Sequence, residues 1–404
     1  MNSLRIGVLR RRWHYYSYTR NVLYRLPEAT YVPVEDIFSR MATLTLRANR
    51  VARRVIGRPL WTHFNLNNQF WEVIPSRVDV LHLFNAISYG RTPWVSTFET
   101  AVPRFLEVMA AIHQGEPTFS PFQRWRFEKA LQAAASDRCL GLIALSERAR
   151  RVQTLVLQWT TSADLAQAVA SKVQVVHPPQ PLVVENFETK TTLPLKPLRF
   201  MFVGHDFFRK GGLEMLQTFI EVRRASSYPV TLTIVSALQG HDYAVHADDA
   251  AIAEAQRLIR ENATWIRYFP RLTHEEVLRE MRQVHVGLLP TYADSYGYSV
   301  LEFQAAGCPV ITTNINALAE INAPERGWII DVPRGPLGEA TLHTPEGRAA
   351  VQKAILAGLR EALAAILADP QSVFQKGRAA HAYIRQFHDP AQHTQALRAI
   401  YKTA

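Results

Sequence analysis

The sequence predicts an α/β chain of two doubly wound parallel sheets facing a central cleft. Three observations carry this expectation. The length of 404 residues exceeds what one ordinary core organises. Short apolar strands alternate with helical stretches up to Val176, and the alternation starts afresh at Leu198 after a proline-rich break. The residues able to do chemistry stand directly after strands of the second half, where open α/β sheets bind their ligands.

Taken in order, strands are expected over residues 4–9, 78–84 and 94–98, followed by a helix over 121–135 and strands over 139–145 and 173–176. Strands that alternate with helices require a parallel sheet covered on both faces. The run His177-Pro178-Pro179-Gln180-Pro181 then interrupts regular structure, and a linker is expected to reach Pro197. Beyond it, strands are read at 198–203, 230–235, 264–268, 284–289 and 309–312. Helices are read at 212–224, 249–260, 273–282 and 300–306. The tail is helical by composition over 351–368 and 370–401. The expected partition is a first domain over 1–180, a linker over 181–197, a second domain over 198–375 and C-terminal helices over 376–404. Whether those helices return to the first domain is left open.

Apolar residues make up 48% of the chain and charged residues 20%, as in ordinary globular proteins. The net charge of +11 is concentrated: residues 1–60 hold twelve arginines against Glu28, Glu35 and Asp36. Such a surface attracts phosphate, whether on nucleic acid, a membrane face or an acidic acceptor, and charge does not choose among them. Residues 40–58 read as a helix with Leu44, Ala48, Val51 and Val55 on one face and Arg47, Arg50, Arg54 and Arg58 beside it. That face either lies on an anionic membrane or packs on the first domain. Arg10, Arg11 and Arg12 follow the first strand and are expected to point into the cleft. No apolar run is long enough to span a bilayer, and the first residues lack the form of a secretory signal. Cys139 and Cys308 have neither metal nor disulfide spacing and read as buried small hydrophobes of a reducing compartment. A cytoplasmic protein is expected, with peripheral placement on the inner membrane face left open.

Two segments carry chemistry. The first, Phe202-Val203-Gly204-His205-Asp206-Phe207-Phe208-Arg209-Lys210-Gly211-Gly212, leaves a strand and opens a helix. Glycines allow close backbone approach, helix-start N–H groups favour an anion, and Arg209 and Lys210 add full charges suited to a pyrophosphate. By itself this could equally be a solvated basic turn. The second runs from Leu288 to Ile311, a strand followed by a polar loop with Asp294, a helix with Glu302, and a further strand. A loop acid and a helix acid eight positions apart can face one crevice at different depths. The plainer alternative makes Asp294 a helix cap and Glu302 a surface acid.

Together these segments resemble the donor domain of family-4 glycosyltransferases, retaining enzymes of the GT-B fold with two Rossmann-like domains. That family shows Gly-Arg-x-x-x-x-Lys-Gly after the first strand of its second domain, and later an acid, seven residues, Glu, a small-residue helix and Gly-x-Pro-Val-Ile. Here these appear as Gly204-His205-x-x-x-x-Lys210-Gly211, and as Asp294, seven residues, Glu302, then Ala305-Ala306-Gly307-Cys308-Pro309-Val310-Ile311. The resemblance covers residues 135–325 well and is thin over 1–130. It implies a hexosyltransferase that takes a nucleotide-diphosphate sugar to a glycan, lipid-linked or other hydroxyl acceptor. Lys210, assisted by Arg209, would bind the diphosphate, Asp294 would face the donor sugar, and Glu302 would accept from the ribose hydroxyls. Gly204, His205, Gly211, Gly297, Tyr298 and Ser299 would complete the donor site.

The sequence also departs from the family. His205 stands where arginine is usual, and Arg209 is the replacement charge. Asp294 stands where Glu is usual. The Gly-Gly acceptor loop is absent, its place held by Arg10-Arg11-Arg12, and the usual Thr-x-His of the first domain reads Thr97-Phe98-Glu99. The acceptor side is therefore assigned to Arg10, Arg11, Arg12 and Glu99. No Asp-x-Asp, Cys-x-x-Cys, His-Glu-x-x-His or phosphate-loop signature is present, so neither metal nor cofactor is expected. His82, His177 and His285 are read as structural or exposed. The alternative is a catalytically inactive nucleotide-sugar or glycan-binding protein of the same fold. A nucleic-acid binder is disfavoured, because the arginines lack interleaved aromatics outside residues 13–18.

Overall fold

The structure is a computed structural model that describes residues 3–9, 17–58, 63–72, 77–114, 116–239, 244–245 and 247–402. The chain forms two compact units, one of residues 1–179 with 390–404, the other of 180–389.

The first unit runs β1 (Arg5–Leu9), α1 (Ser17–Leu23), β2 (Thr30–Val34), α2 (Ile37–Ile56), α3 (Phe64–Asn67), β3 (Gln69–Phe70), β4 (Val80–Phe84) and β5 (Ile87–Ser88). It continues with β6 (Trp94–Phe98), α4 (Leu106–Gln114), α5 (Pro121–Ala135), β7 (Cys139–Ala144), α6 (Glu147–Leu157), α7 (Ala163–Ala170) and β8 (Val173–Val175). Six of its strands form one parallel sheet in the order β2-β1-β4-β6-β7-β8. Central strands such as β4, with the sequence VLHLF, are buried throughout, as a sheet covered on both faces demands. The connection order reverses between β1 and β4, the position where such sheets open a binding crevice.

The second unit runs α8 (Glu188–Thr191), β9 (Leu198–Asp206), α9 (Gly212–Ala225), β10 (Val230–Ala237), α10 (Asp249–Glu261), β11 (Ile266–Phe269), α11 (His274–Gln283) and β12 (Val286–Leu289). It ends with α12 (Tyr298–Ala305), β13 (Val310–Thr313), α13 (Leu318–Ile321), β14 (Gly327–Ile330), α14 (Pro345–Ala368) and α15 (Ser372–Phe387). Its parallel sheet has the order β11-β10-β9-β12-β13-β14, so the reversal falls between β9 and β12. The first strand outlasts its expected end at residue 203, because Asp206 still pairs with Ala237 across a register shift.

The last helix, α16 (Pro390–Tyr401), belongs to the first unit. Leu397, Ile400 and Tyr401 join Ile6, Val8, Val80, Val95 and Ile143 in one buried cluster. His82 is buried in the same region, its Nε2 2.8 Å from Thr97 Oγ1 and its Nδ1 bonded to the Tyr401 hydroxyl. His393 Nδ1 meets the His177 carbonyl at 3.0 Å, and Arg398 pairs with Glu28 at 2.6 Å. The helix expected over 370–401 is thus two helices, parted before Pro390, and residues 376–389 stay with the second unit.

The expected linker over 181–197 is also part of the second unit. Val183 and Val184 donate their N–H groups to the Ala305 carbonyl at 3.0 and 3.2 Å. Lys190 is buried, and its ammonium donates to the carbonyls of Met281, Arg282 and Val284. A buried cation that gives its protons to three carbonyls fastens this segment in place. Prolines stop regular structure here without loosening the chain.

Candidate active site

The two chemistry-bearing loops leave the adjacent strands β9 and β12 at the carboxyl edge of the second sheet. They are stitched together by the main chain. Tyr292 N–H donates to the Arg209 carbonyl at 2.9 Å, Thr291 Oγ1 donates to the same oxygen at 3.1 Å, and Arg209 returns a bond to the Ala293 carbonyl at 2.8 Å. Gly211, at φ +74°, holds the crossing: a Cβ there would lie 2.0 Å from the Pro290 carbonyl oxygen. The two motifs are 84 positions apart in the chain at Lys210 and Asp294, yet they form one structural element.

At its centre Lys210 Nζ lies 2.6 Å from Asp294 Oδ2, both side chains largely covered. The aliphatic stem of the lysine passes over Gly204, where a Cβ would come within 2.2 Å of Lys210 Cδ. The other carboxylate oxygen of Asp294 accepts from the N–H groups of Tyr296 and Gly297, at 3.3 and 3.1 Å. Burial disfavours the Asp294 charge, but the Lys210 ammonium, Arg209 and the Tyr296 amide together hold its carboxyl below the ordinary value. Arg209 is also bonded to Asp206, whose carboxyl is likewise lowered once the guanidinium outweighs burial. His205 is exposed, its Nδ1 3.3 Å from Asp206.

Helix starts around the pair differ from those of six other helices. The helices α5, α6, α7, α10, α11 and α14 each begin at a Ser, Thr or Asp whose side chain bonds a first-turn N–H. By contrast α9 and α12, which follow β9 and β12, have Gly211 and Gly297 as N-caps and no side-chain cap. Glycine caps place no side chain over the first turn of either helix, the arrangement that favours an anion at a helix start. Asp294 is therefore not the cap of α12 but the acceptor for the turn that leads into it.

Glu302 lies in the second turn of α12, partly buried, with Oε1 3.6 Å from His274 Nδ1 at the start of α11. Desolvation pushes its carboxyl up to about 7. Two contributors escaped the sequence reading. Asn316, at φ +48°, donates to the Asp294 carbonyl at 2.8 Å, and His274 faces Glu302. An isolated Asn and a His after a capping Thr carry no pattern that marks them out.

Of the acceptor-side assignments, Arg10, Arg11 and Arg12 lie outside the described residues. Glu99 follows β6 in the first unit and borders a cavity of about 140 Å³ that is also lined by Asn68, Asn85 and Arg104. Asn85, at φ +58°, leaves β4 beside the sheet reversal and accepts the Glu99 N–H at 3.1 Å. His285, like His82, is structural: it is buried, its Nδ1 accepts from Arg199 N–H, and burial lowers its pKa to about 3. Among the described residues no helix is long and apolar enough to cross a membrane.

Residues 197–338, which span both loops, match the family described as group 1 glycosyl transferases. Over those residues the chain resembles that family. A glycogen synthase of Mycobacterium tuberculosis is 26% identical to this chain over 185 residues. That match covers 46% of this chain and 37% of the relative, so the chain spans little more than a third of that relative's length. Solved structures agree in fold at low identity. The Anabaena protein HepE in complex with UDP has TM-score 0.58 and 12% identity, over 99% of this chain and 100% of that one. A Rickettsia africae glycosyltransferase has TM-score 0.56 and 11% identity, over 100% and 98%. Sucrose-phosphate synthase from Thermosynechococcus elongatus has TM-score 0.51 and 16% identity, over 94% and 81%. The two parallel sheets are accordingly the Rossmann-like domains of a GT-B glycosyltransferase fold.

Proposed function

We propose that this glycosyltransferase moves a hexose from a nucleoside diphosphate to a hydroxyl acceptor, with retention at the anomeric carbon and without a metal ion. The observation that carries the reading is the Lys210–Asp294 pair at the sheet reversal, flanked by two helices with glycine caps. A diphosphate entering there offers Lys210 a stronger anion than one carboxylate, while the first-turn amides of α9 and α12 complete the cradle. Lys210 then offsets the charge that grows on the leaving diphosphate, and Asp294, released from its partner, faces the sugar. Glu302, deeper on α12, accepts from the ribose hydroxyls. The acceptor is a glycan or lipid-linked hydroxyl held on the first unit near Asn85, Glu99 and Arg104, with Arg10–Arg12 as further candidates.

In the reaction the acceptor oxygen bonds the anomeric carbon on the face that the diphosphate leaves. The carbon–oxygen bond to the diphosphate breaks, and the acceptor proton passes to the departing phosphate oxygen. No protein nucleophile is required. HepE, a neighbour in fold, is described with UDP and with UDP-glucose, which makes UDP-glucose the first donor to assay.

Lys210→Ala is expected to abolish donor turnover with a chelator present, while UDP still raises the melting temperature of the wild type. Full turnover in that variant removes the phosphate assignment. A second reading, an inert nucleotide-sugar binder, draws on His205, which is exposed where a family member carries arginine. A melting temperature raised by UDP-sugars, with no hydrolysis or transfer of any donor, would favour it.

A further inference from the structure

The α2 helix turns its large apolar side chains outward. Ala42, Asn49 and Ala52 form the face that packs on the first unit. Leu44, Val51 and Val55 are 61%, 61% and 76% exposed, and Met41 is exposed on the same stripe. The sequence left open whether this stripe packs inward; small residues fill the inner face instead. Beside the apolar stripe runs a second one of exposed arginines, Arg40, Arg47, Arg50 and Arg54, and no acid occurs anywhere in the helix. The acids that precede it are Glu35 and Asp36, and Asp36 is occupied by the Ser39 and Trp71 amides.

A second apolar feature adjoins the start of the helix. Phe38 of α2 lines a cavity of about 420 Å³, shared with Trp71, Phe122, Trp125, Arg126 and Lys129. Phe122 and Trp125 are 64% and 56% exposed and stacked at 5.8 Å. Arg126 stands over the Phe122 ring and pairs with Glu107, and among the described residues no acid lines the cavity itself. The result is an apolar ridge, an exposed Trp-Phe pair and a row of guanidinium groups on one unit.

We propose that α2 and the Phe38–Trp125 cavity form a docking face for an anionic lipid bilayer. A protein partner would need a matching acidic groove. A bilayer of anionic lipid supplies both halves at once: negative headgroups for the arginines and acyl boundary for Leu44, Val51, Val55 and Trp125. Tryptophan settles at that boundary because its ring is apolar with a polar edge. The inference does not depend on the transferase reading.

The test is sedimentation of the full chain with vesicles of phosphatidylcholine alone, or of phosphatidylcholine and phosphatidylglycerol in equal parts. Binding is expected to the anionic vesicles only. The triple change Arg47→Gln, Arg50→Gln, Arg54→Gln should weaken it on the order of a hundredfold. Val51→Ser with Val55→Ser should weaken it on the order of tenfold or more, with circular dichroism unchanged because the inner face is untouched. Brominated lipid should quench tryptophan fluorescence less in Trp125→Phe. Equal binding to both vesicles, no binding to either, or a concentration-dependent dimer abolished by the valine changes would overturn the proposal.

Discussion

Glu302 carries the consequence of the proposed ribose contact that is easiest to measure. Burial on α12 raises it to about 7, and the neighbouring His274 at 3.6 Å does not return it to the ordinary range. If ribose hydroxyls donate to its charged form, as proposed, nucleotide binding draws a proton off this group. The sign follows directly. Nucleotide affinity is full above pH 7 and falls as the pH drops through 7, because the protonated carboxyl must first ionise. Titration calorimetry of UDP against pH should show that fall, with proton release near pH 7. In Glu302→Gln, affinity should be lower by about tenfold and flat with pH. For the unliganded fold the sign is opposite. A group whose pKa is raised above 4.5 destabilises the fold as pH rises from 4.5 toward 7, and the Gln variant lacks that slope.

At the scale of elements, helix starts differ in how they are capped. Six helices spend a Ser, Thr or Asp side chain on their first-turn amides, and these starts hold structure. The capping box of α11 pairs Thr273 with Glu276, and His274, which faces Glu302, follows directly. Thr273→Ala should cost about 1 kcal/mol in urea denaturation and leave donor hydrolysis within about twofold. The donor motifs were legible in the sequence because glycine, lysine and carboxylate are restricted by the close approaches they make. Gly204 must lie under the lysine stem, and Gly211 under Pro290. Other features carried no such mark. The apolar face of α2 has the periodicity of a packed helix, and only coordinates reveal that alanines occupy the inner side. Residues 181–197 have linker composition, yet their hold on the second unit comes from Lys190, a charge that normally stays in water.

Across the whole molecule, the core of the first unit is closed by α16. Leu397, Ile400 and Tyr401 fill the space behind Ile6, Val80 and Val95, and Tyr401 is a partner of His82. Removing residues 390–404 opens that core and strips several large side chains from it. Limited proteolysis of the truncated chain should degrade residues 1–179 first and leave a protected fragment near 180–389. That fragment should still bind UDP; loss of both units together would show that the core of the second also relies on α16.

The covalent path passes out of the first unit at Pro179 and back at Pro390, and Gln180 N–H reaches the His388 carbonyl at 2.8 Å beside that return. The second unit is therefore an insertion, whole in itself, within a first unit split across both termini. During translation the inserted part is fully emitted before the helix that finishes its host exists. The second unit can thus mature on the ribosome, while the basic, apolar-faced first unit waits, unfinished, for α16.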